Sequence, residues 1–342
     1  MAYILLSIGM KNTLQKSSFK LGKNYKLCVI GAGRWGLNHI KTLDKLNALG
    51  GIVDNNSSVI NNLKMLYHDC LFFSDLNDSF EANFDGYIVS APAKEHYKIA
   101  MQIINKGKPV LVEKPITLKL SEAIKLNALA KLKKVNLMVG HLLLFHPAFK
   151  KIKELIDGGS IGKLQYIYSN RLNLGSFRTD ENVFWSFAPH DIALFNHFFN
   201  SLPTELSSNG IDILQKGIHD TTISSFKYSQ NRMGHIFVSW LHPFKEHRFV
   251  IIGSEGMIHY EDGGLKKSLI LYDKTVDLNG EVPKSVDLGK SFEINYKDAM
   301  PLTEELKYFI SKIDGGTIDI ADGDSAVDVM KVLENASERL NS

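Results

Sequence analysis

Leu27-Cys28-Val29-Ile30-Gly31-Ala32-Gly33-Arg34-Trp35-Gly36 decides the fold. Four uncharged apolar residues read as a buried strand, and three glycines follow in a G-x-G-x-x-G pattern. Gly31 allows a tight turn, Gly33 lets backbone approach a pyrophosphate, and Gly36 permits close packing of the helix that opens there. The N-terminus of that helix favours an anion. Leu37, Ile40, Leu43 and Leu46 then recur at three-residue steps, nearer a helical period than the two of a strand. Asp54, with Asn55 beside it, lies 18 residues after Gly36 at the end of the next apolar run. A carboxylate there accepts bonds from the adenosine ribose hydroxyls and repels a 2′-phosphate, so NAD(H) is expected in preference to NADP(H). The competing reading is a glycine-rich turn beside an exposed aspartate.

Outward from this loop, short β-branched runs alternate with helical stretches as far as about residue 149. Strands are expected over 27–30, 51–53, 70–73, 87–90, 110–112 and 137–139, with Ser121 as the N-cap of a helix carrying Ile124, Leu129 and Leu132. These elements are too short to be separate domains, which predicts one doubly wound parallel sheet, a Rossmann domain over residues 26–145. Residues 146–158 read as a connecting helix, with Pro147 in its first turn and Gly158-Gly159 stopping it. Then strand-like segments follow one another: 164–172, 221–228, 234–240, 248–252 and 268–272. A helix over 189–199 interrupts them, and two more, 303–313 and 324–340, end the sequence. Residues 146–342 are therefore expected to form an α+β substrate and oligomerisation domain with a large, mostly antiparallel sheet, separated by a cleft from an α/β first half. Such a sheet with one open face predicts a homodimer or homotetramer.

The 342 residues are 44% hydrophobic and 23% charged, an ordinary globular composition. The formal charge of +3 comes from Lys11, Lys16, Lys20, Lys23 and Lys26, the only charged residues in the first 26; without them 35 basic residues face 37 acidic ones. No nucleic-acid-binding face is expected, and residues 1–25 read as a flexible basic lead-in. Residues 1–10 are apolar but lack a basic n-region and are too short to span a bilayer, so neither export nor a membrane anchor is expected. Met10 offers an alternative start. Two cysteines, Cys28 and Cys70, make no disulfide scaffold and fit a reducing cytoplasm. No metal is expected, since no pair of side chains has zinc-ligand spacing.

Glu113-Lys114-Pro115 directly follows the apolar run at 110–112. Charges do not sit at the end of a buried strand without partners. In an open α/β sheet that end faces the ligand crevice, where a desolvated lysine has a lowered pKa and can take a proton from a hydroxyl. Proline restricts its predecessor's backbone and makes a cis bond possible. The bland alternative is a surface ion pair. Ser90-Ala91-Pro92, with His96, follows the fourth apolar run: either a proline-started helix with a surface histidine, or a turn placed against the nicotinamide ribose. Phe184-Trp185-Ser186-Phe187-Ala188-Pro189-His190-Asp191 sets a histidine at an expected helix start, where it can polarise or carry a proton and Asp191 can orient a neighbour; alternatively Pro189-His190-Asp191 only begins the helix. His141, His146 and His197 lack comparable context and read as core or surface residues.

These residues resemble the glucose-fructose oxidoreductase, inositol 2-dehydrogenase and MocA (Gfo/Idh/MocA) family of pyridine-nucleotide oxidoreductases, over nearly everything after Lys26. The resemblance implies that Gly31, Ala32, Gly33, Arg34, Trp35 and Gly36 bind the cofactor, with Glu113 and Lys114 beside it, and that Lys114 is the catalytic lysine. The histidine of the second domain is then His190. Many members carry an aspartate where this chain has Ser186, which leaves a third catalytic carboxylate open, and where others show Tyr-Asn-Arg-Arg-Phe after the sixth strand this chain has His141 to Phe145 without the arginines. Gly140-His141-Leu142-Leu143-Leu144-Phe145-His146-Pro147, Asn170-Arg171-Leu172-Asn173-Leu174-Gly175, Asn182 with residues 185–191, and Ser239-Trp240-Leu241-His242-Pro243-Phe244-Lys245 resemble a subgroup found with surface-polysaccharide and lipid A sugar biosynthesis.

That likeness implies oxidation of the 3-hydroxyl of a UDP-N-acetylhexosamine, giving a 3-keto sugar for a PLP aminotransferase. Arg171, Asn173 and Asn182 are candidates to hold the diphosphate or sugar, because a buried anion needs charged or multi-donor partners. Two other readings stand beside it. One is a ketoreductase of a keto nucleotide sugar, or an inositol-type polyol dehydrogenase; the other is an NAD-binding module without catalysis.

Overall fold

The apolar runs of the first half become β1 (Leu27–Ile30), β2 (Leu49–Val53), β3 (Leu71–Phe73), β4 (Gly86–Val89), β5 (Val110–Val112) and β6 (Leu137–Val139). A computed structural model describes residues 24–175, 177–263, 267–277 and 279–340; most of the basic lead-in and Met10 lie outside them. The six strands form one parallel sheet in the order β3-β2-β1-β4-β5-β6. Helices α1 (Gly36–Lys45), α2 (Ser57–Lys64), α3 (Leu76–Ser79), α4 (Ala93–Asn105) and α5 (Leu120–Lys133) make the connections. Every residue of β1, β4, β5 and β6 is buried, which explains their unbroken apolar character. The order reverses between β1 and β4, and ligands bind outside the carboxyl ends of strands at such a switch point.

The expected helix after β5 is present but differently capped and faced. Lys119, extended, occupies the N-cap, and Ser121 falls inside the first turn. Its buried face is Ala123, Leu126 and Ala130, while Ile124 and Leu132 are exposed. Small alanines let α5 lie close to its neighbours, so apolar size alone pointed to the wrong face.

Helix α6 (Pro147–Asp157) leads to β7 (Leu164–Leu174), then α7 (Val183–Phe199). There follow β8 (Glu205–Ile211), β9 (Thr221–Tyr228), β10 (Arg232–Ser239), β11 (Leu241–Gly253), β12 (Met257–Glu261), β13 (Ser268–Asp277) and β14 (Lys284–Glu293). They make an eight-stranded sheet ordered β14-β13-β12-β11-β7-β10-β9-β8, antiparallel except where β7 runs parallel to β10. Strand β8 was not expected, because Glu-Leu-Ser-Ser-Asn-Gly-Ile carries little apolar alternation. One face of the sheet packs on α6 and α7 through Phe149, Phe195, Phe198 and Phe249, whose rings meet at 5.2–6.5 Å. Pairwise, such ring contacts contribute roughly 0.5–1.5 kcal/mol beyond their burial.

Helix α7 starts earlier than the proline suggested. Asn182 is its N-cap, its Oδ1 accepting from Trp185 N at 3.1 Å, and Pro189 sits inside the helix. The last two helices, α8 (Pro301–Lys312) and α9 (Gly323–Leu340), return to the first sheet. Val139 N donates to Ala321 O at 2.8 Å, Asn127 Nδ2 to Asp324 at 2.8 Å, and Trp185 Nε1 to Ser337 Oγ at 2.7 Å. Helix α9 thus touches both halves. Cys28 and Cys70 are free and buried. Among the described residues no helix is long and apolar enough to cross a membrane.

Candidate active site

On the parallel sheet, the glycine loop shows why each glycine is needed. Gly31 has φ +88°, and a Cβ there would meet Ala91 N at 2.8 Å. A Cβ on Gly36 would stand 1.9 Å from Gly31 O, whereas Gly33 has nothing within 4 Å, leaving the approach to the start of α1 open. Asp54 is held by the loop it serves: Oδ2 accepts from Ala32 N at 2.7 Å and Oδ1 from Asn56 N at 2.8 Å. Each carboxylate oxygen keeps a further lone pair for a ribose hydroxyl. Asn55, Arg34 and Trp35 are exposed around this rim. Ser90 Oγ donates to Gly31 O at 2.8 Å, fastening the loop to the Ala91-Pro92 turn that begins α4. An open backbone cradle at a helix N-terminus and a pre-oriented carboxylate fit a dinucleotide.

Two residues expected at the cofactor, His96 and Glu113, are buried and bonded within the protein. His96 is buried, with Nδ1 2.8 Å from Pro115 O and Nε2 2.8 Å from Ala91 O, so it braces two turns. Burial holds its pKa below the ordinary histidine value. Glu113 is also buried; its Oε1 lies 2.7 Å from His39 Nε2 on α1, and its Oε2 accepts from Lys114 N at 3.1 Å. A Cβ on Gly140 would come within 3.0 Å of that same Oε2. Glu113 therefore ties the glycine-loop helix to the end of β5.

Lys114 is joined to Pro115 by a cis peptide bond. Its Nζ donates to Ser186 O on α7 at 2.8 Å. A carbonyl oxygen has two lone pairs, so Ser186 O can accept from Lys114 as well as from within its helix. Position 186 thus serves through its backbone, which does not depend on the side chain being serine. Burial lowers the Lys114 pKa, offset in part by Glu181 and Glu113. One turn along α7, on the same face, stands His190, whose Nδ1 is buried without a protein partner. Burial, with the charges of Lys114 and Arg171, holds its pKa well below the ordinary value and keeps the ring neutral. A lysine inclined to lose its proton beside a neutral imidazole is suited to accept one from an alcohol.

The antiparallel sheet supplies the other wall. Asp191, fully buried, accepts from Arg171 Nε at 3.0 Å, Arg171 Nη2 at 3.2 Å and Ser169 Oγ at 2.9 Å. Arg171 Nη2 also reaches His247 Nε2 at 3.0 Å, across the β7–β11 pair that sets the two residues opposite each other. Since a guanidinium only donates, that nitrogen accepts, and burial together with the Arg171 charge keeps His247 neutral. Arg171 and His247 line a cavity of about 500 Å³ with Asn173, Phe187, Lys245 and Tyr260. Asn173 Oδ1 is buried there without a protein partner. Asn182, by contrast, spends its oxygen on the helix cap. His247 and His141 were missed as site residues. No motif announces His247; only its cross-strand register with Arg171 does.

A phosphate-cradling loop, with a desolvated lysine held one helical turn from a neutral histidine, fits a dinucleotide-dependent oxidoreductase. Residues 25–141 match the family model described as the oxidoreductase family with NAD-binding Rossmann fold, and residues 149–259 match the Gfo/Idh/MocA C-terminal domain. The chain belongs to the Gfo/Idh/MocA family of NAD-binding oxidoreductases. It is 24% identical to the uncharacterized oxidoreductase YrbE of Bacillus subtilis, over 60% of this chain and 64% of that one. It is 23% identical to the scyllo-inositol 2-dehydrogenase (NAD(+)) of the same organism, over 89% of this chain and 91% of that one. The UDP-N-acetylglucosamine 3-dehydrogenase of Acidithiobacillus ferrooxidans is 26% identical over 54% of this chain and 57% of that one. A crystal structure of that enzyme superposes with a TM-score of 0.81 at 20% identity, covering 92% of this chain and 97% of that one, a likeness of fold.

Proposed function

We propose that this oxidoreductase oxidises the 3-hydroxyl of a UDP-N-acetylhexosamine such as UDP-GlcNAc, with Lys114 as the base and His190 as its partner. The observation that carries the base assignment is Lys114 Nζ, held 2.8 Å from Ser186 O one helical turn before His190. Bound NAD+ supplies the hydride acceptor. Lys114 receives the hydroxyl proton, and His190, neutral, holds the developing carbonyl oxygen or shares that proton. Positioned proton transfer of this kind contributes roughly 10²- to 10⁴-fold.

For the substrate, support comes from the cavity beside Arg171. It is lined by Arg171, Lys245, Lys267 and Lys297 together with Glu246, Asp262 and Asp298; Lys267 pairs with Asp262 and Lys297 with Glu304, and Arg171 is already oriented by Asp191. A diphosphate needs that kind of charged, forked donor set, and Asn173 Oδ1 offers an acceptor to a sugar hydroxyl or amide. The likeness to UDP-N-acetylglucosamine 3-dehydrogenase points the same way. A 3-keto product is a substrate for an aminotransferase, and the outer face of the eight-stranded sheet, with Tyr166, Tyr168 and Met233, is the surface for a homodimer or homotetramer.

The longer alignment with scyllo-inositol 2-dehydrogenase favours a second reading, oxidation of a free polyol by the same lysine and histidine. A panel of UDP-GlcNAc, UDP-GalNAc, scyllo-inositol and myo-inositol, each with NAD+ and followed by NADH absorbance, separates the two. Turnover of a UDP-sugar with inert inositols is the expected result; the reverse overturns the nucleotide-sugar assignment.

A further inference from the structure

His141 stands at the carboxyl end of β6, and its ring lies 6.4 Å from that of His190 at an interplanar angle of 86°. The mechanism above does not use it, yet it is 3% exposed and its Nδ1 finds no protein partner. It also lines a second cavity, of about 280 Å³, with Asn196, His197, Asp319, Ser325 and Asp328. Both amide atoms of Asn196 are buried and unpaired in the protein, while Asn200 and Asp319 at the rim are exposed. Buried polar groups are nearly always hydrogen-bonded, so an amide with neither end satisfied by protein marks a site for water. On α7, Ala193, Asn196, His197 and Asn200 follow His190 at helical spacing, so the stripe that begins at the catalytic histidine continues along this cavity.

We propose that His141 relays the substrate proton from the Lys114–His190 pair to water in the cavity between α7 and the segment leading into α9, a route to solvent separate from the substrate cleft. The proposal rests on the alcohol-oxidation reading above. Each turnover cleaves one O–H bond and moves one hydride to NAD+, which leaves one proton to discharge from a cleft occupied by cofactor and substrate. His141 takes that proton on one ring nitrogen and gives one to water from the other, and exchange with water resets the tautomer. The charged groups facing His141 are Glu113 and Lys114, with His190 across α7 and Asp319 and Asp328 in the cavity. Burial holds the ring's pKa down to about 4, so it passes a proton on rather than storing it. As a relay, His141 is a positioning residue that acts through His190.

The test uses the full-length enzyme with NAD+ and whichever alcohol of the panel the wild type oxidises. His141→Phe is expected to lower kcat at least tenfold with KM and NADH affinity unchanged and to enlarge the solvent deuterium effect. Added imidazole should restore turnover to His141→Ala but not to Lys114→Ala. Asn196→Leu, which replaces the unpaired amide with an apolar group and keeps His141, should lower kcat in the same way and covers the case in which His141 variants fail to fold. Wild-type kcat and solvent isotope effect in His141→Phe or Asn196→Leu would overturn the relay. A high-resolution crystal structure gives an arm independent of substrate. Ordered water on His141 Nδ1 and the Asn196 amide is expected, and a dry cavity sinks the relay while leaving the dehydrogenase reading intact. Failure of the wild type to oxidise any alcohol, with water in place, sinks that reading instead.

Discussion

The two walls of the cleft are built on different principles. On the parallel-sheet side, ten consecutive residues create the dinucleotide cradle, and what binds is mostly backbone: an open Gly33, a helix N-terminus, and Ala32 N orienting Asp54. On the antiparallel side no short segment suffices. Arg171 from β7 is aligned by Asp191 from α7 and by His247 from β11, while Lys114 is caught by a carbonyl of α7. Backbone geometry is a local property and survives as a motif. A network of buried side chains exists only once the strands are in register, and it fails as a unit when one member is removed.

The largest effect should come from the residue that crosses between the walls. Lys114→Ala is expected to lower kcat by roughly 10²- to 10⁴-fold while NADH binding, followed by fluorescence titration, stays near wild type. In the wild type, oxidation should quicken with rising pH as Lys114 gives up its proton, on a limb below the range of free lysine, and that limb should vanish in the variant. A variant that lost NADH binding as well would show that the walls are not separable.

Asp191→Ala removes the hub of the substrate wall. Breaking a buried ion pair costs about 3–5 kcal/mol, and the low end applies because the Arg171 side chain is 21% exposed. The urea midpoint should fall accordingly, and turnover should fall further than NADH affinity. Gly36→Ala attacks the opposite wall. Its Cβ would overlap backbone at Gly31 O, at a cost of about 1–3 kcal/mol, and NADH affinity should fall first. If Gly36→Ala left NADH binding intact, the backbone-cradle account would be wrong.

Asp54→Ala should cost NAD(H) affinity about tenfold, as expected for lost hydrogen bonds to a carboxylate, and should narrow the preference over NADP(H). Isothermal titration with both cofactors reads it.

The smallest effect is a stability difference with pH. His141 has a folded pKa of about 4, against an ordinary value near 6.5, so the unfolded chain binds more protons between those values. Its neutral burial therefore weakens the fold as pH drops from 6.5 toward 4, by about 1 kcal/mol between pH 7 and 5.5. His141→Phe should flatten that part of the acid limb in urea titrations, and an unchanged slope would place the acid sensitivity at His190 and His247.

Much of this was legible without coordinates. The six parallel strands, the cradle, and Lys114 with His190 follow from apolar runs, glycine spacing and charges at strand ends, each of which depends only on neighbours in the chain. Where the reading slipped, a longer-range contact had overridden a local preference. Pro189 looked like a helix start, but Asn182 caps the helix seven residues earlier and the tight packing around Phe184 and Phe195 carries it through the proline. In its bland reading His96 was a surface residue, and it is buried between the carbonyls of Ala91 and Pro115. Glu113, whose bland reading was a surface ion pair, is buried and pairs with His39 on α1.

The sequence by itself determined the architecture of the first half and the family, and singled out Lys114 as the proposed base, because turns, strand burial and anion binding at a helix N-terminus are written in contiguous residues. Tertiary structure alone decided what surrounds that base: the Ser186 carbonyl that holds Lys114, the Arg171–Asp191–His247 wall, and the return of α9 across both sheets. Those contacts join residues far apart in the chain, and their partners are selected by strand register and helix packing, which no local pattern encodes.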